Sequence, residues 1–72
     1  MEFSRILKQE RKSNNWTQRE MAEKLNVTLK AYQSYEALGK GRREPDIALL
    51  IKMADILDIS VDYLLGRENY KI

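Results

Sequence analysis

The chain has no cysteine and no histidine among its 72 residues, and it contains one proline and three glycines. Without cysteine no disulfide can stabilise the fold, and without both residue types the usual zinc sites are excluded. No apolar run approaches the roughly 20 residues that a membrane-spanning helix requires, and no signal peptide is recognisable. These absences favour a small cytoplasmic protein with no metal, cofactor or membrane anchor.

The length of the chain allows one small domain, which would bury only about 60% of the surface of its unfolded state. We expect this domain to cover residues 1–66 and a short C-terminal tail to follow at residues 67–72. Regulation by a ligand-binding or protease domain would then have to come from outside this chain.

The charges are unevenly distributed, although the net charge is only +2. Residues 1–43 carry ten Lys/Arg and five Asp/Glu, whereas residues 44–72 carry three Lys/Arg and six Asp/Glu. The N-terminal part is therefore basic and the C-terminal part acidic. Such a distribution suits one-sided contact with phosphates, but uneven charge also arises by chance in small helical proteins.

Residues 17–36, TQREMAEKLNVTLKAYQSYE, predict two short helices joined by a tight turn. Thr17 and Glu20 have the spacing of a capping box at the start of the first helix. Asn26 tolerates the left-handed conformation that ends a helix sharply, and Thr28 can cap the second helix. A buried helix followed by a helix with a polar outer face is the layout of a DNA-reading helix-turn-helix.

Three further helices are predicted outside this stretch. Apolar periodicity indicates a first helix over about residues 2–13, and Asp46 can cap a helix over residues 47–57. Apolar side chains nearly encircle that fourth helix, which predicts that it is buried centrally. Ser60 can cap a final short helix over residues 61–65, which Gly66 ends. The fold class is therefore all-α.

These features resemble the Xre family, the helix-turn-helix domains of the lambda-type phage repressor and Cro fold. The similarity covers residues 3–66, and its motifs occur in the family's order. They are Thr17-Gln18, Met21-Ala22, Leu25-Asn26-Val27-Thr28, Tyr32, Tyr35-Glu36, Pro45 and Ser60-Val61-Asp62-Tyr63-Leu64-Leu65-Gly66. The resemblance implies a compact five-helix, lambda repressor-like domain. Two departures are Asn15, where the family usually has glycine, and a slightly longer loop between Glu36 and Pro45.

The outer face of the second motif helix is the predicted base-reading surface. Lys30 can donate to guanine O6 and N7, Gln33 can pair with adenine, and Leu29 can contact a thymine methyl group. The predicted base contacts are Thr28, Leu29, Lys30, Gln33 and Ser34.

Two other segments are predicted to contact DNA phosphates. Thr17 and Gln18 open the first motif helix, where backbone amides and the glutamine amide can hold a phosphate. Lys40, Arg42 and Arg43 follow the second motif helix in a glycine-containing loop, and one arginine could reach the minor groove. A basic loop that is merely solvated is the alternative interpretation of the second segment.

Arg11 lies on the inward face of the first helix, where an unpaired charge would be very costly. Glu36 is the candidate partner, and members of the family that this sequence resembles pair these two positions. Alternatively, Arg11 extends its charged group into water. Trp16 precedes the cap of the first motif helix and is expected to pack against the core rather than to stack on a base.

A symmetric homodimer on a palindromic operator is expected, because one recognition helix contacts too few base pairs for selective binding. Ile59, Val61 and Leu64 are the predicted dimer interface, since family members that resemble this segment dimerise through it. The alternative is that these three side chains only close the core of the monomer.

The predicted function is sequence-specific binding of double-stranded DNA by a transcriptional repressor of phage or mobile-element type. An antitoxin that regulates its own operon through the same helix-turn-helix is the alternative, which a neighbouring toxin gene would favour. No enzyme is predicted, because no catalytic constellation is recognisable. Asp55, Asp58 and Asp62 are interpreted as a solvated edge rather than as a metal site.

Overall fold

The computed structural model describes residues 2–68, and this range contains five helices and no strand. Within it, no helix is both long enough and apolar enough to cross a membrane. The predicted all-α architecture is confirmed. The helices are α1 (Glu2–Ser13), α2 (Gln18–Leu25), α3 (Leu29–Glu36), α4 (Ile47–Leu57) and α5 (Val61–Leu64).

Helices α2 to α5 all begin at a polar side chain that accepts a hydrogen bond from a backbone amide three residues later. The complete capping box at α2 adds a second bond, in which the Thr17 amide donates to the Glu20 carboxylate at 2.8 Å. Each cap stabilises its helix by about 1 kcal/mol, so these short helices begin at defined residues. The four caps are Thr17, Thr28, Asp46 and Ser60.

Three of the helices are followed by a residue that has left-handed backbone but is not glycine. Asn15, Asn26 and Asp58 have φ angles of 61°, 58° and 58°, and each lies just beyond a helix end. Asparagine and aspartate tolerate this region better than other side chains do. Asn15 therefore adopts a left-handed conformation at the position where the Xre family, which this sequence resembles, usually has glycine.

The core receives side chains from all five helices. Tyr32 of α3 is its largest fully buried member and lies among apolar side chains from the other helices. Burying one large apolar side chain contributes about 1.5–3 kcal/mol, which a domain of this size needs. The other large apolar side chains that are fully buried are Phe3, Leu7, Met21, Leu25, Met53 and Leu64.

Helix α4 is less buried than its sequence predicts. Met53, Ala54 and Leu57 are buried on the face that packs against α2 and α5. Ile47 and Ile51 are nevertheless 75% and 47% exposed. The expectation of a centrally buried helix is corrected because neighbouring helices cover α4 on one side only.

Of the three residues predicted to form the dimer interface, Ile59, Val61 and Leu64, the structure buries Ile59 and Leu64 within the single chain. Ile59 is 7% exposed and Leu64 is fully buried, so both close the core of a single chain. Val61 is half-buried and packs against the same core. The turn capped by Ser60 folds α5 back onto α1 and α4, and Ile59 and Leu64 are buried there.

The last helix ends at Leu64, one residue before the predicted end. Gly66 follows with φ at 79°, and an added Cβ there would lie 2.6 Å from the Cβ of Glu2, so glycine is required. Arg67 donates its amide to the Asp62 carbonyl at 2.8 Å, which continues the chain against α5. Residues 69–72 of the predicted tail lie outside the described residues.

Candidate nucleic-acid interface

Helices α2 and α3 form a helix-turn-helix with a three-residue connection that begins at the left-handed Asn26. The amide of Val27 donates to the Ala22 carbonyl at 3.0 Å, and the Val27 side chain packs against the core. Helix α3 then starts after Thr28, whose hydroxyl accepts the Ala31 amide at 3.0 Å. Because α3 packs against α1 and α2, its remaining face lies at the surface.

This outer face of α3 presents polar side chains of different chemistry. Thr28, Lys30 and Gln33 are exposed, and Leu29 and Ser34 are half-buried beside them. The Ser34 hydroxyl donates to the Ala31 carbonyl, so its proton is used within the helix and only acceptor capacity remains outward. The five predicted base-contacting residues thus lie on α3 and its N-cap, and Lys30 and Gln33 have the longest side chains among them.

A buried ion pair lies beneath this surface. The Arg11 Nε atom donates to Glu36 Oε2 at 2.7 Å and its Nη2 atom donates to Oε1 at 3.2 Å, so the pair is bidentate. Both side chains are at most 7% exposed. Arg11 also donates through Nη1 to the Trp16 carbonyl at 2.6 Å. The expected pairing is therefore present, and Arg11 does not extend into water.

Two neutral side chains complete the hydrogen bonding of the Glu36 carboxylate. The Tyr32 hydroxyl donates to Oε2, and Gln18 Nε2 donates to Oε1 at 3.1 Å. One carboxylate therefore joins α1, α2 and α3. Together with Arg11, these residues form a cluster that we call the Glu36 network.

The network fixes the charge states of its members. Burial alone would raise the pKa of Glu36, but hydrogen bonds from Arg11, Tyr32 and Gln18 outweigh burial and hold that pKa below its ordinary value. The hydrogen bond to Glu36 raises the pKa of Arg11. Burial, assisted by the same carboxylate, raises the pKa of Tyr32. At neutral pH the network holds an ionised pair and a protonated phenol.

The lowered pKa of Glu36 predicts a loss of stability in acid. Its contribution is complete above the ordinary glutamate pKa of about 4.3 and is lost as the pH falls through the lower folded-state pKa. Urea unfolding at a series of pH values measures this loss. Glu36→Gln, which has no carboxylate at this position, should show a flatter decline between about pH 5 and pH 2. Parallel declines in both proteins would contradict the assignment.

Gln18 links the network to the outer face of α3. Its Oε1 atom accepts a hydrogen bond from Gln33 Nε2 at 3.3 Å, while its own amide donates to Glu36. The sequence predicted Gln18 only as a phosphate contact and missed this link. A carboxylate has more hydrogen-bond acceptor sites than one arginine fills, and this could have indicated that Glu36 has a further donor.

The loop after α3 brings basic side chains to the end of the same helix. The amide of Arg43 donates to the Ser34 carbonyl at 3.0 Å, and the Arg42 amide donates to the Gly39 carbonyl at 3.0 Å. Lys40 and Arg43 are exposed. Arg42 is half-buried and forms an ion pair with Glu44 at 3.1 Å, so its guanidinium is partly neutralised within the loop.

Comparison with known proteins assigns this geometry to a family. A family model described as "Helix-turn-helix" matches residues 7–64, which include the whole of α2, α3, α4 and α5. The chain belongs to the Xre-like helix-turn-helix family. No solved structure matches it significantly.

Several curated proteins are similar to this member of the family. The uncharacterized HTH-type transcriptional regulator YqaE of Bacillus subtilis is 49% identical over 97% of this chain and 59% of its own length. The HTH-type transcriptional regulator ImmR of the same organism is 37% identical over 96% of this chain and 52% of its own length. The cryptic phage CTXphi transcriptional repressor RstR of Vibrio cholerae is 39% identical, with coverages of 93% and 57%. The chain thus spans between half and three-fifths of these relatives.

The start of α2 carries the remaining predicted site residues of this family member. Thr17 is exposed, and Gln18 is half-buried because its amide turns toward Glu36. Trp16, just before them, is half-buried and packs against the core, with the Lys24 ammonium 4.4 Å from the centre of its ring. A tryptophan covered by its own core and by a lysine offers little area for stacking on a base.

Proposed function

We propose that this chain binds double-stranded DNA at specific sequences and represses transcription, in the manner of a phage or mobile-element repressor. The outer face of α3 carries the proposal, because it presents Lys30 and Gln33 beside a basic loop in a helix-turn-helix. Relatives named as transcriptional regulators, one of them a phage repressor, support it. We place this activity in the cytoplasm of a prokaryotic cell.

The proposed base contacts follow from the side-chain chemistry of α3. Lys30 donates to guanine, and Leu29 contacts a thymine methyl group. Gln33 pairs with adenine by using its Oε1 atom and one amide proton, while its other amide proton stays on Gln18. Thr28 and Ser34 complete the contact surface.

Phosphate contacts would hold α3 in the major groove. The exposed Thr17 and the backbone amides at the start of α2 suit one phosphate, with the second amide proton of Gln18 directed to it. Lys40 and Arg43 would contact phosphates beyond the other end of α3. Arg42 could do so only after its ion pair with Glu44 breaks. These contacts would set orientation without reading sequence.

A homodimer on a palindromic operator is part of the proposal. One recognition helix contacts a few base pairs, whereas two copies on a two-fold axis read half-sites about 34 Å apart. Because Ile59 and Leu64 are buried in the core, only Val61 of the three predicted interface residues is accessible to a second copy, and the contact would need further residues.

Selection of bound sequences from a pool of random duplexes tests the proposed function. We expect enrichment of an inverted repeat whose half-sites are centred about one helical turn apart. A selected pool with no common sequence would refute specific binding, and a single asymmetric site would refute the palindrome.

Lys30→Ala should weaken binding to the selected site by about 1–3 kcal/mol and relax the preference at one base pair. Lys40→Ala is the matched control, because it removes the same charge from the loop. It should weaken binding to all duplexes alike and reduce the salt slope by about 0.9. Titrations of selected and scrambled duplexes at several salt concentrations measure both effects. Equal losses of Lys30→Ala on both duplexes would show that Lys30 does not read a base.

A further inference from the structure

We propose that this chain distinguishes unmethylated DNA from DNA methylated at the N6 atom of adenine, and that the Gln33 amide, held by Gln18, makes the distinction. Gln33 is exposed on the outer face of α3 and is bonded to Gln18, which is bonded in turn to the buried Glu36. The inference rests on the proposed reading of adenine by Gln33. It adds a chemical state of the DNA to which that contact responds.

The hydrogen bonds that connect Glu36 to Gln33 have a defined direction. Glu36 is ionised, because the hydrogen bonds that it accepts hold its pKa below the ordinary value, and an ionised carboxylate only accepts. Gln18 therefore turns its amide nitrogen toward Glu36, at 3.1 Å from Oε1, which leaves its own carbonyl oxygen for Gln33. Gln33 must then be the donor of the 3.3 Å bond to Gln18. The charge of one buried side chain thus sets the orientation of both amides.

Gln33 consequently presents a fixed pair of groups to a base. One proton of its amide nitrogen is on Gln18, so the carbonyl oxygen and one amide proton remain. This acceptor and donor match the major-groove edge of adenine, where the N6 amino group donates and the N7 atom accepts. Turning the amide over would place the carbonyl oxygens of Gln33 and Gln18 against each other. The bond to Gln18 therefore opposes a change to another pattern.

Methylation of adenine on N6 removes the hydrogen atom that this contact uses. The amino group has two hydrogens, and one pairs with thymine while the other points into the major groove. In a base-paired N6-methyladenine the methyl group takes the major-groove position, because the remaining hydrogen is needed for thymine. The Gln33 oxygen would then face a methyl group without a donor, and an acceptor that is desolvated without a partner is costly.

The expected effect is specific to the adenine that Gln33 reads. Leu29 lies four residues before Gln33, so the two side chains are neighbours along α3. A methyl group beside Leu29, such as that of thymine, would make a favourable apolar contact. The outer face of α3 is therefore not closed to methyl groups in general, and the loss depends on the lack of a donor opposite the Gln33 oxygen.

Titration of the 72-residue chain with modified duplexes tests the inference. The selected site is first synthesised with 7-deazaadenine, which lacks the N7 acceptor, at each adenine in turn. The adenine that Gln33 reads is the one whose replacement weakens binding of the unsubstituted chain but not of Gln33→Ala. N6-methyladenine at that position should weaken binding by about tenfold or more. N6-methyladenine outside the half-sites is the matched control and should leave the affinity unchanged.

Two variants show whether the held amide makes the distinction. Gln33→Ala should bind the methylated and unmethylated duplexes equally. Gln18→Ala releases the Gln33 amide, so its ratio of the two affinities should lie between those of Gln33→Ala and the unsubstituted chain. Lys40→Ala is the control, because it should weaken binding to both duplexes alike and keep the ratio. Circular dichroism establishes that the variants are folded. An unchanged ratio in Gln33→Ala or in Gln18→Ala would overturn the inference.

These readouts separate the inference from the proposed function. A chain that selects no common sequence would refute the proposed function. A chain that selects a site at which no adenine depends on Gln33 would overturn the inference alone. Equal affinity of the unsubstituted chain for the methylated and unmethylated sites would do the same.

Discussion

Glu36→Ala is expected to lower the free energy of unfolding by about 3–5 kcal/mol. The substitution leaves the Arg11 guanidinium buried without its anion, and it removes the acceptor of the Tyr32 hydroxyl and the Gln18 amide. Arg11→Ala should cost a similar amount, because it leaves the carboxylate buried without its cation. Breaking a buried pair is expensive even where the intact pair contributes little net stability.

A double-mutant cycle in urea measures the coupling. The loss in the double variant should be much smaller than the sum of the two single losses, because neither orphan charge remains. Glu36→Gln is the control for shape, since it keeps one acceptor oxygen for Tyr32 or Arg11. Additive single losses below about 1 kcal/mol each would show that the pair behaves as if it were solvent-exposed.

Leu64→Ala is expected to destabilise the chain by about 2–5 kcal/mol. Leu64 is fully buried among side chains of the core, so its truncation removes apolar contacts and leaves a cavity that the surrounding helices fill incompletely. Thermal and urea unfolding measure the change.

Val61→Ala is the neighbouring control, because Val61 is half-buried and loses fewer contacts on truncation. Its effect should be distinctly smaller than that of Leu64→Ala. A Leu64→Ala variant with unchanged stability but weakened self-association would instead return the interface between copies to the C-terminal segment.

The features that the sequence predicts well depend on residues near one another in the chain. Thr17 and Glu20 form a capping box through atoms three residues apart, and Asn26 ends α2 by its own backbone preference. The Arg11–Glu36 pair spans 25 residues, but the cost of an unpaired buried charge required such a partner.

The features that sequence reasoning missed depend on which helix covers which surface. Apolar residues encircle α4, yet the periodicity does not tell which side receives neighbours, and so the exposure of Ile47 and Ile51 was not predicted. Ile59 and Leu64 appeared available because the direction of α5 after Ser60 is set by packing. The bond between Gln18 and Gln33 required the relative position of two helices.

The Glu36 network has a consequence for how sequence discrimination is maintained. Because hydrogen bonds to one carboxylate join α1, α2 and α3, the helix that carries the proposed base contacts is held in place before it meets DNA. The binding free energies of a matching and a mismatched DNA sequence would then differ by the full difference in their contacts, because a rigid helix cannot adjust to the mismatched one. A substitution that weakens the Glu36 network should therefore lower both the free energy of unfolding and the preference for one DNA sequence, although the substituted residue contacts no base.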